Sequence, residues 1–69
     1  MEEIKLKDDF IKLGQAMKAA DLVASGAEAK IVIQDGLVKV NGQVETARGK
    51  KLVPGDEFTF RGAKVRISK

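Results

Sequence analysis

The sequence predicts an α+β fold in which two packed helices lie against a small, mainly antiparallel sheet of about four to five strands. Two observations predict it. First, residues 25–42 contain the residue types that start and end a helix, followed by those of a tight hairpin. Second, residues 58–67 alternate apolar with polar side chains, as paired strands do. A chain of 69 residues has room for one domain, which we expect to span residues 1–69.

The N-terminal third predicts a short strand and a first helix. Ile4 and Leu6 alternate with lysines, an acidic pair at 8–9 interrupts this strand, and residues 10–13 resume an extended path. The next apolar residues follow the i, i+3, i+4, i+7 spacing of a helix; they are Leu13, Ala16, Met17, Ala20 and Val23. This spacing predicts a helix from about residue 14 to residue 24, whose small alanines let a second helix pack closely.

Residue types mark both ends of the second helix. Ser25 and Glu28 have the capping-box spacing, in which each side chain accepts a hydrogen bond from the free backbone amide of the other residue. Ala29 and Ile33 follow at helical spacing, and Gly36 stands where a left-handed residue would end the helix. The helix is therefore predicted to begin at Ser25 and to stop at Gly36.

Turn residues divide the rest of the chain into strands. The pair Asn41-Gly42 tolerates the positive φ angles of a type I′ turn, which predicts a hairpin from residues 37–40 to residues 43–46. Pro54-Gly55 predicts a turn that precedes a new strand. Apolar alternation on either side of residues 61–64 then predicts a closing hairpin.

The three aromatic residues, Phe10, Phe58 and Phe60, are predicted core residues because each stands at an apolar alternating position. The chain has no Trp or Tyr, and proteins that recognise bases by stacking display exposed rings, so this mode of binding is disfavoured. Binding of nucleic acid would depend instead on lysines, arginines and helix N-terminal amides that contact phosphates.

Composition argues against several classes of function. The chain has no Cys and no His, which excludes disulfides and thiolate metal sites and removes the commonest acid–base group. Neighbouring carboxylates at 8–9 and 56–57 point to opposite faces of an extended chain, and no phosphate-binding glycine motif occurs. We therefore expect no enzymatic activity, no metal and no cofactor. The absence of a secretory signal and of any long apolar run favours the cytoplasm.

Positive charge is unevenly distributed along the chain. The formal net charge is +3, with five lysines against seven carboxylates in residues 1–35 and eight cations against three carboxylates in residues 36–69. The densest cluster is Arg48-Gly49-Lys50-Lys51. This asymmetry favours an anionic partner, whereas the alternative is that basic residues only keep edge strands soluble.

The order and spacing of short motifs resemble an S4-type RNA-binding domain, the family named after the fourth protein of the small ribosomal subunit. The motifs are Leu13-Gly14-Gln15, Lys18, Ala20-Asp21, Ser25-Gly26, Ala29-Lys30, Asp35-Gly36, Val38, Val40-Asn41-Gly42, Arg48-Gly49-Lys50-Lys51-Leu52 and Pro54-Gly55-Asp56. The similarity covers nearly the whole chain and is closest to the short stand-alone bacterial members. It implies the αL RNA-binding motif, in which two helices and the following hairpin form one RNA-facing surface.

The resemblance also implies a set of RNA contacts. Carried over by position, the set is Lys12, Gln15, Lys18, Ser25, Gly26, Lys30, Lys39, Asn41, Arg48, Lys50 and Lys51. Three of these residues also have ordinary structural roles. Ser25 caps a helix, Gly26 suits the backbone conformation at its position, and Asn41 belongs to a turn. Many family members have arginine where this chain has Gly26 and Ala47, so its affinity for RNA is expected to be lower.

These observations predict an RNA-binding protein that docks on structured RNA, with ribosomal RNA or a ribosomal particle as one candidate. No membrane and no small-molecule substrate are expected as partners. A monomer is the simplest expectation, although the sequence leaves dimerisation open. The alternative function is a protein–protein adaptor whose RNA surface is vestigial.

Overall fold

The computed structural model describes residues 2–69, which form two helices and seven short strands. In chain order these are β1 (Glu2–Lys5), β2 (Ile11–Lys12), α1 (Leu13–Ala19), α2 (Gly26–Gln34), β3 (Val38–Val40), β4 (Gln43–Val44), β5 (Lys51–Leu52), β6 (Glu57–Phe60) and β7 (Ala63–Ser68). Neither helix has the length and apolar character needed to span a bilayer in this part of the chain.

Five strands form the main sheet in the order β1-β7-β6-β3-β4. The β1–β7 pair is parallel, with Ile4 opposite Ile67, and the other three pairs are antiparallel. This arrangement confirms the predicted α+β class with a mainly antiparallel sheet. A second, two-stranded ribbon pairs β2 with β5, placing Ile11 opposite Leu52 and Lys12 opposite Lys51. The sequence predicts the extended path of β2 but not this pairing.

The core lies between one face of the sheet and the two helices. The sheet contributes the inward-facing residues of three strands, which alternate with exposed or half-buried ones: Val38, Val40, Phe58, Phe60, Val65 and Ile67. Leu13, Ala16 and Met17 of α1 and Ala29 and Ile33 of α2 are buried against them. No helix of residues 2–69 packs on the opposite face of the sheet, which we call the outer sheet face.

Helix α1 ends at Ala19, five residues before the predicted limit at residue 24. Asp21 adopts a left-handed φ of 62°, its amide donates to the Lys18 carbonyl at 3.0 Å, and the Leu22 amide donates to the Met17 carbonyl at 3.0 Å. These two bonds form a Schellman motif built without glycine. Ala20 and Val23 are buried although they lie outside the helix. Their apolar spacing continues that of the helix, which is why the sequence predicts a longer helix than the structure has.

Helix α2 begins and ends where the sequence predicts. The Ser25 hydroxyl accepts a hydrogen bond from the Glu28 amide at 3.1 Å, while the Glu28 carboxylate accepts from the Ala24 amide at 2.6 Å rather than from Ser25 itself. Gly36 has a φ of +77°, and the Leu37 amide closes the last turn on a helix carbonyl. Local bonds therefore fix both ends, although the Ser25 cap satisfies only one of the free amides at the start of the helix.

Both predicted hairpins turn through two residues with positive φ. Asn41 and Gly42 have φ angles of 52° and 87°, and Arg61 and Gly62 have φ angles of 50° and 82°. This combination is the type I′ geometry, whose twist matches that of the flanking strands. The first hairpin places Lys39 on the outer sheet face, because its neighbours Val38 and Val40 are buried in the core.

Candidate nucleic-acid interface

A concave surface of about 370 Å³ lies where the starts of the two helices meet the segment before β5. We call it the helix hollow. Its lining residues are Lys12, Gly14, Gln15, Lys18, Gly26, Arg48 and Gly49. Five of the eleven predicted RNA contacts are therefore brought together here, and no carboxylate is among the lining residues.

Backbone hydrogen bonds hold the Arg48 segment against the start of α1. The Leu13 amide donates to the Lys50 carbonyl at 2.8 Å, and the Gly14 amide donates to the Arg48 carbonyl at 3.0 Å. The first amides of a helix have no partner within the helix, so these bonds satisfy two groups that would otherwise face solvent. Arg48 thus lies beside the helix because its own backbone caps that helix.

Side-chain and backbone groups at the two helix starts line the hollow. The Gln15 side-chain oxygen accepts a hydrogen bond from the Lys12 amide at 3.2 Å, which leaves the Gln15 amino group as a free donor. At α2, the amides of Gly26 and Ala27 precede the first intrahelical bond and lack an acceptor within residues 2–69. The partial positive charge of this helix end adds to the nearby cations.

Three cations line the hollow: Lys12, Lys18 and Arg48, which we call the hollow cations. All three are exposed, and no carboxylate oxygen of the described residues lies within 4.0 Å of their charged groups. Because nothing in residues 2–69 neutralises them, the hollow is a concave, electropositive surface. It can hold an anion through ion pairs and backbone amides together.

Two further predicted contacts lie in a different, smaller hollow of about 160 Å³, together with Glu45 and Asp56. They are Asn41 and Lys50. The Asn41 side chain donates to the Asp56 carboxylate at 3.0 Å and accepts from the Glu57 amide at 3.0 Å. These bonds tie the hairpin turn to the start of β6, so the described contacts of Asn41 are structural.

The remaining predicted contacts are dispersed. Lys30 is exposed on α2 outside the hollow lining, and Lys39 lies on the outer sheet face. Ser25 caps α2 with its hydroxyl. Lys51 lies in β5 and places its ammonium 4.8 Å from the centroid of the Phe10 ring.

Phe10 is not a core residue, contrary to the prediction from its apolar position, because 38% of its surface is exposed. It precedes β2, which pairs with β5 outside the main sheet, and the residues beside the ring leave it partly open to solvent. Phe58 and Phe60 are buried as predicted.

Sequence reasoning did not select Gly14 and Gly49 as lining residues, although both lie in motifs that it singled out. Glycine has no side-chain functional group from which a contact could be predicted. The position of these two glycines beside Arg48 is visible only in the structure. A Cβ at Gly14 would lie 3.6 Å from the Arg48 carbonyl oxygen and 3.8 Å from the Ala29 Cβ, which is ordinary contact distance. Gly14 therefore lies at the closely packed junction of both helices with the Arg48 segment.

Comparisons with known proteins identify the family of this chain and several relatives. Residues 4–68 match the family described as S4 domain. YbcJ of Escherichia coli (strain K12) is 39% identical over 61 residues, which cover 88% of this chain and 87% of YbcJ. RlbA of Bacillus subtilis (strain 168), whose name describes a probable ribosome maturation protein, is 37% identical over 59 residues, covering 86% of this chain and 83% of RlbA.

A solved structure extends the similarity to the whole fold. The solution structure of E. coli YbcJ matches 100% of this chain and 89% of its own with a TM-score of 0.76 and 37% identity. That structure is described as revealing an αL motif involved in RNA binding. The resemblance seen in the sequence motifs is thereby confirmed, and the αL architecture is shared. The chain belongs to the S4 domain family.

Proposed function

We propose that this chain binds structured RNA by seating the phosphate backbone in the helix hollow. The observation that carries the proposal is the convergence of three unneutralised cations with the free amides at the start of α2. Phosphate contacts position a protein on nucleic acid, and arginine, lysine and helix N-terminal amides are the groups that make them. The names and description given to the relatives support the same activity.

The proposed contact residues fall into two groups. Lys12, Gln15, Lys18, Gly26 and Arg48 line the hollow and contact RNA directly. The other predicted contacts border this surface or lie away from it, and we assign them a weaker, electrostatic part: Ser25, Lys30, Lys39, Asn41, Lys50 and Lys51. Asn41 is the weakest of these, because its side chain already bonds to Asp56 and Glu57.

Salt dependence tests the phosphate mechanism. Each phosphate neutralised contributes a slope of about 0.7 to 0.9 to the fall of log affinity with log salt, so about four or five contacts give a slope of roughly −3 to −4. The measurement is fluorescence anisotropy with a labelled RNA hairpin between low and physiological salt. A slope near zero would contradict binding through phosphates.

A ribosomal target is the more specific form of the proposal. The name of RlbA, ribosome maturation protein, supports ribosomal RNA or a ribosomal particle as the partner. We propose that the chain acts in the cytoplasm as a monomeric module without catalysis of its own. Crosslinking in cells followed by sequencing of the bound RNA tests the target, with reads expected to concentrate in ribosomal RNA.

A protein adaptor is the second candidate, and one observation favours it. Ile31, Leu37 and Val44 expose 60%, 49% and 55% of their surfaces, and Val44 belongs to the edge strand β4. Exposed apolar residues beside a sheet edge are typical of protein contacts. Capture experiments from lysate with and without nuclease separate the two functions, since an adaptor keeps its partner after RNA is digested.

A further inference from the structure

We propose that Phe10 and the groove beside it bind an unpaired nucleobase of the RNA by stacking. The inference rests on the proposed RNA binding and adds a preference for one class of substrate. It assigns to this chain a site for a nucleotide that lies outside a base-paired stem.

The groove has the chemical character that a nucleotide requires. It has a volume of about 400 Å³ and is lined by Phe10 together with the apolar residues Ile4, Leu6, Ile11 and Ala19. Its polar lining residues are Lys5, Lys7, Asp8 and Gln15, so two cations stand against one carboxylate. A nucleotide joins a base with flat apolar faces to a negative phosphate, and an apolar, aromatic lining with a net positive charge complements both parts.

The groove borders the helix hollow. Gln15 lines both surfaces, and Lys12, which lines the hollow, lies two residues after Phe10 on the same side of the ribbon. An RNA whose backbone occupies the hollow therefore passes the ring of Phe10. A nucleotide freed from pairing at this point can turn its base into the groove.

The ribbon of β2 and β5 carries an additional indication of an anion. Lys12 and Lys51 are directly opposite each other in the antiparallel register, and like charges at such positions destabilise a strand pair. No carboxylate of residues 2–69 lies within 4.0 Å of either ammonium to relieve this repulsion. A phosphate bound between them would relieve it, and the base attached to that phosphate would lie beside Phe10.

Phe10 is available for stacking. Its surface is 38% exposed, whereas Phe58 and Phe60 are buried at 0% and 3%, so it is the exposed ring of the described chain. The Lys51 ammonium lies 4.8 Å from the ring centroid. An exposed cation–π contact is weaker than one base–aromatic stack, so a base can displace the lysine, which then turns toward the phosphate.

The test compares three RNAs: a fully paired hairpin, the same hairpin with one unpaired nucleotide, and the same hairpin with an abasic unit at that position. Wild-type protein should bind the RNA with the unpaired base about 5- to 20-fold more tightly than the other two. This is the lower part of the usual worth of one stacked base, because the contact of Lys51 with the ring is given up on binding. The measurement is fluorescence anisotropy at fixed salt.

Three variants assign the preference to the ring. Phe10→Leu keeps an apolar side chain without the ring and should bind all three RNAs equally, whereas Phe10→Tyr should keep the preference. Leu37→Ala removes a similarly exposed apolar side chain away from the groove and should also keep it. Circular dichroism confirms folding, and 5-iodouridine at the unpaired position should crosslink to residues 8–12 on irradiation.

The outcomes separate this inference from the proposed function. Salt-dependent binding of the hairpin with no preference for an unpaired base overturns the inference and leaves the proposed function intact. A preference that survives in Phe10→Leu, or one that the abasic RNA retains, also overturns it. Absence of binding to all three RNAs overturns both.

Discussion

The helix hollow and the outer sheet face both carry cations, but neighbouring carboxylates neutralise them to different extents. The cations that β3 and β7 place on the outer sheet face are Lys39, Lys64 and Arg66, which we call the sheet cations. Glu57 accepts from Arg66 at 3.2 Å and lies 3.6 Å from Lys64, so one carboxylate serves two of the three. The helix hollow contains no carboxylate.

This difference shows that the number of cations does not identify a binding surface. The C-terminal half of the sequence has the larger positive excess, yet three of its cations form the salt bridges of the described chain: Lys64, Arg66 and Lys69. The N-terminal half is acidic overall, and it supplies Lys12 and Lys18 to the hollow. Neutralisation by neighbours, which only the fold decides, distinguishes the two surfaces.

The largest expected effect comes from removing the hollow cations together. We expect the triple variant Lys12→Gln, Lys18→Gln, Arg48→Gln to bind an RNA hairpin about 100-fold more weakly and to lower the salt slope by about 2 to 3, because each phosphate contact contributes about one unit. Fluorescence anisotropy across a salt series measures both quantities.

The matched control removes the same number of charges from the outer sheet face. The variant Lys39→Gln, Lys64→Gln, Arg66→Gln should retain affinity within about threefold. Lys39 has only the weaker, electrostatic part assigned to it above, and screening at physiological salt limits the reach of exposed charges to about 8 Å. Equal losses in the two triple variants would mean that net charge, and not the hollow, governs binding.

The second effect concerns the start of α2 and separates RNA binding from stability. Gly26 is the first helical residue, and nothing lies within 4 Å of the place where its Cβ would be. Gly26→Asp should stabilise the helix by about 0.3 to 1 kcal/mol, since an anion favours a helix N-terminus, yet weaken RNA binding about tenfold by placing a carboxylate in the hollow.

Gly26→Arg sharpens the same comparison in the opposite direction. It introduces the arginine that the family resemblance implies at this position, and it should raise affinity for RNA about fivefold. Stability should change little, because the gain in helix propensity over glycine offsets the unfavourable cation at a helix N-terminus. Thermal unfolding and anisotropy together measure the two trends. Parallel changes of stability and affinity in both variants would contradict a direct role of this helix start.

The third effect is on stability and tests how the hollow is held in shape. Ser25→Ala removes the hydroxyl that accepts from the Glu28 amide, and loss of such a cap costs about 1 kcal/mol. We expect the midpoint of urea unfolding to fall accordingly, whereas Ser25→Asp should preserve it because aspartate caps equally well. If alanine leaves the midpoint unchanged, the cap does not support α2.

The smallest effect comes from freeing the paired cations of the outer sheet face. Glu57→Gln removes the carboxylate that Lys64 and Arg66 share, and exposed salt bridges of this kind are worth only about 0 to 1 kcal/mol each. Stability should therefore change little, while weak, salt-sensitive association with RNA rises about twofold. An increase that also appears in 0.5 M salt would show that charge is not its cause.

Local features of this fold can be read from the sequence, and features formed by distant residues cannot. Ser25, Gly36 and the Asn41-Gly42 turn act through their immediate neighbours, so their residue types predict the structure. The end of α1 is not predicted correctly, because Asp21 takes the left-handed conformation in which glycine is expected. The pairing of β2 with β5 cannot be predicted either, since strands of two residues are too short to show an alternation of apolar and polar side chains.

The same distinction applies to the site. The motifs name the residues of the hollow, but the capping of α1 by the Arg48 and Lys50 carbonyls, which assembles it, is visible only in the structure. The exposure of Phe10 is equally non-local, because it depends on which strands lie beside β2. Sequence reasoning therefore finds the cations and misses how they are grouped.

A nuclear magnetic resonance titration tests the grouping most directly. With uniformly ¹⁵N-labelled protein and an RNA hairpin, the largest amide shifts should occur in residues 12–18, 25–27 and 47–49, around the helix hollow. Amides of β6 and β7 on the outer sheet face should change little. Shifts concentrated in those two strands, with the helix starts unchanged, would contradict the account.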